Sequence, residues 1–258
     1  MEYPIINFGT YRLGEPEIYR SLNNAFENGY YSIDTASLYK NEKFIGEYIA
    51  KNEINRNSIW ITSKLNPRVV HKSENDIIKS ITNTLTDLHT NYLDLYLLHA
   101  PNEEHMIKSW SILEQFKRQG IFKNIGVSNF KICHLEKIKE FSNTEIFTNQ
   151  IEVSPFLTRT ELIGYMNEHK IPISAHSSLI KGEKMNNPTL QRIACNYNKS
   201  PAQILLKWGI QKGYNVIPRS SNLEHINENI MLDFNVSEED IDLLDSLNCD
   251  YYTHPQYK

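Results

Sequence analysis

A single α/β domain of eight parallel strands closed into a barrel, spanning residues 1–258, is the fold this sequence predicts, on three observations. Eight short apolar runs recur at barrel spacing, helical stretches separate nearly all of them, and 258 residues that are 40 % hydrophobic suffice for one large core. The runs, at 5–9, 30–34, 59–64, 93–99, 125–128, 146–150, 171–176 and 215–218, favour the β-branched and aromatic residues that suit strands buried on both faces.

Taken in order, the first run leads to a helix over 16–27, with Ile18, Leu22 and Ala25 on one face. The run 30–34 ends in Asp34 and the run 59–64 ends in Lys64. A second amphipathic stretch, 74–88, aligns Ile77, Ile78, Ile81, Leu85 and Leu88, and the next run ends in His99 before a helix near 107–119. The runs at 125–128, 146–150, 171–176 and 215–218 continue the alternation. Ser237-Glu238-Glu239-Asp240 then starts a terminal helix with an N-cap serine and acidic residues in the first turn. Alternating strands and helices pair in parallel, and eight strands close into a (β/α)8 TIM barrel with an additional C-terminal helix. The alternative, an open doubly wound sheet, lacks the Gly-rich turn after the first strand that a dinucleotide-binding fingerprint requires.

A net charge of −4 without a concentrated Lys/Arg run argues against nucleic acid or an anionic membrane as the main partner. The N-terminus, Met1-Glu2-Tyr3-Pro4, leads into no long apolar stretch, so a cytoplasmic, monomeric protein acting on a small molecule is expected. Cys133, Cys195 and Cys249 are odd in number and widely separated, which fits reduced, mostly structural thiols rather than disulfides or a zinc cluster.

Asp34, Lys64 and His99 each close a strand-like run, and Tyr39 follows five residues after Asp34. Four polar groups would therefore meet at the carboxyl ends of parallel strands, where barrels gather their chemistry. A phenol with a pKa near 10 is a poor acid at neutral pH. An ammonium beside it favours the phenolate, so Lys64 would lower the pKa of Tyr39, Asp34 would hold Lys64 charged and in place, and His99 would orient a substrate oxygen. Taken singly, each residue reads better as an ion pair, a core tyrosine or a satisfied core histidine. Taken together they read as a site.

The sequences around these residues resemble the aldo-keto reductase family. The stretch 29–39, GYYSIDTASLY, continuing through Lys40-Asn41-Glu42 to Gly46, is similar to the family's first signature. Ile61-Thr62-Ser63-Lys64, Asp94-Leu95-Tyr96-Leu97-Leu98-His99, Ile125-Gly126-Val127-Ser128-Asn129-Phe130, Asn149-Gln150-Ile151-Glu152 and Ile217-Pro218-Arg219-Ser220-Ser221 through Glu228-Asn229 carry the likeness almost end to end. The resemblance implies a nicotinamide dinucleotide cofactor, NADPH with NADH possible, and reduction of a carbonyl to an alcohol. It assigns Tyr39 as general acid, Lys64 and Asp34 as its tuning pair, and His99 as the carbonyl-orienting group. It further implies that Ser128, Asn129 and Gln150 hold the nicotinamide carboxamide. By the same resemblance, Ser177 and Leu179 would contact the pyrophosphate, Ser220 and Ser221 would flank the 2′-phosphate, and Glu228 and Asn229 would face the adenine.

Departures from the family pattern carry expectations of their own. Where the family places a tyrosine under the nicotinamide, this chain has His176, a weaker stacking surface whose protonation matters. Where the family places Lys and, six positions later, Arg at the 2′-phosphate, this chain has Arg219 and His225, so the preference for NADP rests mainly on Arg219. The loop after His99 is short, Asn66 stands where the family often has Trp, and the tail ends soon after 251–255. An open pocket is expected, with Tyr11 its best aromatic wall beside His99, and without the family's N-terminal hairpin the barrel bottom falls to other residues.

The function predicted is NADPH-dependent reduction of a small aldehyde or ketone. The alternative is a non-catalytic nicotinamide-binding barrel acting as a regulatory or interaction subunit, since fold alone does not prove turnover. A metal-dependent barrel hydrolase would need histidines and carboxylates converging on one ion, and His71, His89, His99 and His105 show no such spacing.

Overall fold

The computed structural model describes residues 2–258 and contains one eight-stranded sheet in the order β1 to β8, all neighbours parallel. The strands are β1 (Phe8–Gly9), β2 (Ser32–Asp34), β3 (Trp60–Leu65), β4 (Leu93–Leu98), β5 (Phe122–Ser128), β6 (Asn149–Glu152), β7 (Ile173–His176) and β8 (Asn215–Val216). The sheet closes on itself. Ile6 bridges Val216 in parallel, the Asn7 amide donates to the Val216 carbonyl at 2.9 Å, and the Gly9 amide donates to the Pro218 carbonyl at 2.9 Å. The predicted barrel is the observed one.

The helices are α1 (Glu17–Glu27), α2 (Glu42–Lys51), α3 (Glu74–Asp87), α4 (Met106–Arg118), α5 (Ile132–Phe141), α6 (Thr160–Glu168), α7 (Pro188–Tyr197), α8 (Pro201–Gln211), α9 (Leu223–Ile230) and α10 (Glu238–Asp245). Ile18, Leu22 and Ala25 of α1 and Ile77 and Ile81 of α3 are buried, as their spacing demands. Ser237 caps α10 by accepting from the Asp240 amide at 3.2 Å, and α10 is the extra C-terminal helix, tied to α8 where the Trp208 indole N–H donates to Asp245 at 2.7 Å.

A second extra helix departs from one helix per connection, because both α7 and α8 lie between β7 and β8. Each begins with a side-chain cap followed by proline. Asn187 accepts from the Thr189 and Leu190 amides, and Ser200 forms a capping box with Gln203. A cap plus proline at the first helical position starts a helix wherever it occurs, and two such starts thirteen residues apart fit two helices. The cysteines also differ from expectation. All three are free and exposed, so none packs in the core.

Two apolar layers result. The larger lies between the barrel wall and the helices; the smaller, Trp60, Leu95 and Leu97, fills the barrel interior. Tyr3 and Phe147 pack beneath it, with the Tyr3 ring 5.2 Å from both Trp60 and Phe147 and its hydroxyl hydrogen-bonded to Ser174. Tyr3 thus floors the barrel. Sequence period alone could not identify it, since it belongs to no strand or helix.

α2 and α3 approach closely at Gly46, where an added methyl would lie 2.1 Å from the Asp87 carbonyl oxygen and 2.7 Å from the Leu88 carbonyl carbon. Backbone cannot yield as a side-chain tip can, so Gly46→Ala should lower stability by about 1–3 kcal/mol, the usual cost of overpacking. Urea denaturation measures it. A loss under ~0.5 kcal/mol would mean that the helices part freely.

Candidate active site

At the carboxyl ends of the strands a cavity of about 910 Å³ opens. Alternate residues of each strand point into the barrel. Lys64 at the end of β3 is therefore carried inside, 0 % exposed, beside Asp34 at the end of β2. Its Nζ donates to Asp34 Oδ1 at 2.5 Å and to the Thr35 carbonyl at 2.9 Å. Burial holds the ammonium below its ordinary pKa, while Asp34 works in the opposite sense. Asp34 Oδ2 accepts from Gln150 Nε2 at 2.7 Å, so both carboxylate oxygens are engaged.

Tyr39 ends a single 3-10 turn, Ser37–Tyr39, which follows β2 and is tied to β3 where the Ser37 hydroxyl donates to the Lys64 carbonyl at 2.9 Å. Lys40, in the left-handed region at φ 59°, stops the turn. The Tyr39 ring centroid lies 5.2 Å from Lys64 Nζ, 5.6 Å from the His99 ring, edge to face, and 5.0 Å from the Tyr11 ring. Tyr39 and the three residues read from strand ends thus meet. His99 is pushed down to about 3, first by burial and then by the nearby ammonium of Lys64, so it is neutral at working pH. Its Nδ1 is buried without a hydrogen-bond partner.

Behind the site, on the helix side of β3, Glu42 accepts from the Ser63 hydroxyl at 2.5 Å and from Thr84 at 3.1 Å. Burial pushes its carboxyl up to about 7. It supports the strand carrying Lys64 rather than lining the cavity.

One hydrogen-bonded chain crosses the rest of the floor. Ser128 Oγ donates to the Gln150 carbonyl at 2.9 Å, and Asn129 Nδ2 donates to Ser128 Oγ and to the His99 carbonyl, each at 3.0 Å. Because Asn129 Nδ2 is spent on those acceptors, Asn129 Oδ1 faces His176 Nε2 at 2.9 Å and must accept. His176 is thereby fixed as the Nε2–H tautomer, with Nδ1 accepting from the Ser177 hydroxyl at 3.1 Å. Burial, aided by neighbouring His254 and Lys64, holds His176 well below its ordinary pKa. The stacking surface expected to vary with protonation is held neutral.

The cavity runs from Tyr39 and His99, past Ser177 and Leu179, to Arg219, Ser220, His225, Glu228 and Asn229, and Tyr11 lines it too. Of the residues expected to touch a dinucleotide, Ser221 is not on its wall. Asn229 is 2 % exposed and its Oδ1 has no partner, an orphaned acceptor that an exocyclic amine would satisfy. Asn222 caps α9 through the Glu224 amide at 2.8 Å and so brings a helix N-terminus to the same end of the cavity, favourable for an anion. The donor set fits a nicotinamide dinucleotide. Among the described residues no cluster of three or more His, Cys, Asp or Glu side chains is arranged to hold a metal ion.

Sequence pattern alone did not reveal the role of the tail. The tail folds against the mouth and forms part of its wall. Glu152, 2 % exposed at the end of β6, accepts from the Thr253 amide at 2.7 Å, the Thr253 hydroxyl at 2.5 Å and the His254 amide at 3.1 Å. Lys181, also on the cavity wall, donates to the Thr253 carbonyl at 2.5 Å. His254 is thereby set in the cavity wall, its ring 6.3 Å from Tyr11 and 5.8 Å from His176. A carboxylate closing an apolar strand run was the available signal, equivalent to the one that marked Asp34.

The aldo/keto reductase family model matches residues 5–249. Glyoxal reductase of Bacillus subtilis (strain 168) is 36 % identical over 257 residues, 99 % of this chain and 92 % of that protein. Methylglyoxal reductase DkgB of Escherichia coli O157:H7 is 34 % identical over 254 residues, 96 % of this chain and 94 % of that protein. Among solved structures, MGS-M4, an aldo-keto reductase enzyme from a Medee basin deep-sea metagenome library, superposes with a TM-score of 0.93 at 31 % identity, covering 98 % of this chain and 94 % of the other.

The depressed histidines set a pH dependence. An unfolded chain takes up a proton at His176 near pH 6.5 that the native chain refuses, so stability is present above that pH and falls as pH drops. His176→Tyr should flatten the fall of ΔG between pH 6.5 and 5 by up to about 1.4 kcal/mol per pH unit. Denaturant titrations at several pH values measure this. An unchanged slope would mean that His176 takes up its proton in the native chain too.

Proposed function

The chain belongs to the aldo/keto reductase family, and from that premise we propose that it reduces a small aldehyde or ketone to the alcohol with NADPH, Tyr39 donating the proton. The observation that carries this reading is the convergence of Tyr39 and His99 on one cavity directly above the buried Lys64–Asp34 pair.

When bound, the nicotinamide supplies the hydride. Residues Ser128, Asn129 and Gln150 orient its carboxamide, and His176, locked by Asn129, offers the ring surface beneath. Arg219 and His225 would meet the 2′-phosphate, with Ser220 beside it, while Ser221, off the cavity wall, takes no part. Ser177 and Leu179 contact the pyrophosphate, while Glu228 and Asn229 hold the adenine. Neutral His99 donates an N–H to the carbonyl oxygen and aligns it toward Tyr39, which protonates that oxygen as negative charge develops there. Lys64 stabilises the phenolate left behind, and Asp34 keeps Lys64 charged despite its burial. The names of the relatives, glyoxal and methylglyoxal reductases, favour a short 2-oxoaldehyde as substrate. Tyr11, His254 and the pinned tail give the substrate end of the cavity its walls.

NADPH oxidation followed against a panel of aldehydes, ketones and quinones, and repeated with NADH, tests the reaction. No consumption with any member of the panel would remove the reading. Tyr39→Phe should lower kcat by about 10²–10⁴-fold, the range of a lost general acid, while leaving NADPH affinity nearly unchanged. Near-normal turnover in that variant would assign the proton elsewhere.

Arg219→Ala should weaken NADPH by about 10- to 150-fold, the worth of a charge-assisted hydrogen bond, and NADH much less. Nucleotide fluorescence titrations compare the two. Equal losses would exclude Arg219 as the discriminator.

A further inference from the structure

Four successive carbonyls in the loop after β1 each accept a hydrogen bond from a side chain elsewhere in the chain. Asn41 Nδ2, buried beneath the loop, donates to the Thr10 carbonyl at 2.8 Å and the Leu13 carbonyl at 3.0 Å. From above, Arg219 Nε donates to the Tyr11 carbonyl at 2.8 Å and Arg219 Nη2 donates to the Arg12 carbonyl at 2.8 Å. The loop needs such support. It follows a two-residue strand, Tyr11 and Arg12 are exposed, and Arg12 occupies the left-handed region at φ 60°, costly for a side chain that is not glycine. Between the anchored ends stands the Tyr11 ring, 5.0 Å from Tyr39.

We propose that Arg219 is a positioning residue for the substrate wall, holding Tyr11 against Tyr39 independently of its contact with the nucleotide's phosphate. The inference rests on the chain being a nicotinamide-dependent carbonyl reductase with Tyr11 at its substrate end. Guanidinium geometry makes the two tasks compatible. The Nε and Nη2 edge is engaged with the loop carbonyls, and the other edge, Nη1 with the second Nη2 hydrogen, remains for an anion. A lysine cannot span two adjacent carbonyls along one planar edge while presenting a second edge to a phosphate. An arginine here serves cofactor and substrate at once, so substrate affinity depends on residue 219 even when the nucleotide carries no 2′-phosphate.

The test compares native protein, Arg219→Lys and Arg219→Ala with three measurements. Hydrogen exchange without nucleotide follows the Leu13 amide, which donates to the Thr10 carbonyl at 3.0 Å within the loop. Kinetics with NADH and glyoxal give KM and kcat, and fluorescence gives NADPH affinity. In both variants Leu13 should exchange about tenfold faster and KM for glyoxal with NADH should rise about tenfold, as loss of a charge-assisted clamp implies, with kcat changing less than KM. Arg219→Lys should keep more NADPH affinity than Arg219→Ala, because its charge persists. Native-like exchange at Leu13, or an unchanged KM with NADH in Arg219→Lys, overturns the proposal while leaving the reductase reading intact. If the native protein oxidises neither nucleotide with any aldehyde, the proposal falls together with the reaction it rests on.

Discussion

A fully buried ammonium is the constraint around which the rest of the mouth is arranged. Lys64 is carried into the barrel by the inward side of β3, where desolvation weighs against its charge. Asp34 works in the opposite sense, and Asp34 in turn needs a partner for each oxygen, supplied by Lys64 and Gln150. Removing either member of such a pair leaves an uncompensated buried charge, at a cost of about 3–5 kcal/mol. The strand ends are therefore committed together. The β3 end requires the β2 end, which engages β6 through Gln150, and Gln150 passes the constraint through its carbonyl to Ser128 on β5.

His176 shows how one departure from the family pattern is absorbed. A tyrosine under the nicotinamide offers area, whereas the histidine offers two nitrogens and therefore two hydrogen bonds, to Asn129 and Ser177. Its place is set by polar connection rather than by ring size. The tautomer is fixed by Asn129, whose own amide nitrogen is committed to His99 and Ser128, so one orientation propagates along the whole chain.

Most of the barrel was legible because its signal is local. Apolar runs set the strands, a 3.6-residue period sets α1 and α3, and polar residues closing three runs announced Asp34, Lys64 and His99. Less legible features depend on contacts between distant segments. The α7–α8 doubling was marked by two cap-and-proline starts but hidden by the expectation of alternation. The tail's path was invisible because Glu152 meets Thr253 across 101 residues, and Arg219 reaches Tyr11 across 208. Loop walls are set by which carbonyls a distant side chain can reach, and no window of sequence contains both partners. Exposure of Cys133 and Cys195 follows from the faces of α5 and α7 that carry them, and Cys249 lies beyond the last α-helix; composition reveals neither.

Tyr3 and the β1–β8 seam have a consequence for how the chain is made. The floor needs Tyr3 beside Phe147 and hydrogen-bonded to Ser174, 171 residues later, and the first strand finds its second neighbour only when Val216 exists. On the ribosome, the N-terminal segment must therefore wait until Val216 has been synthesised, with one edge of β1 unpaired and the interior unplugged. Local helices form early; circular closure is a later event whose entropy cost is met only once β8 has been made. For that interval the nascent sheet exposes an open parallel edge, the kind of surface that chaperones shield and that a stalled or truncated product would leave permanently uncovered.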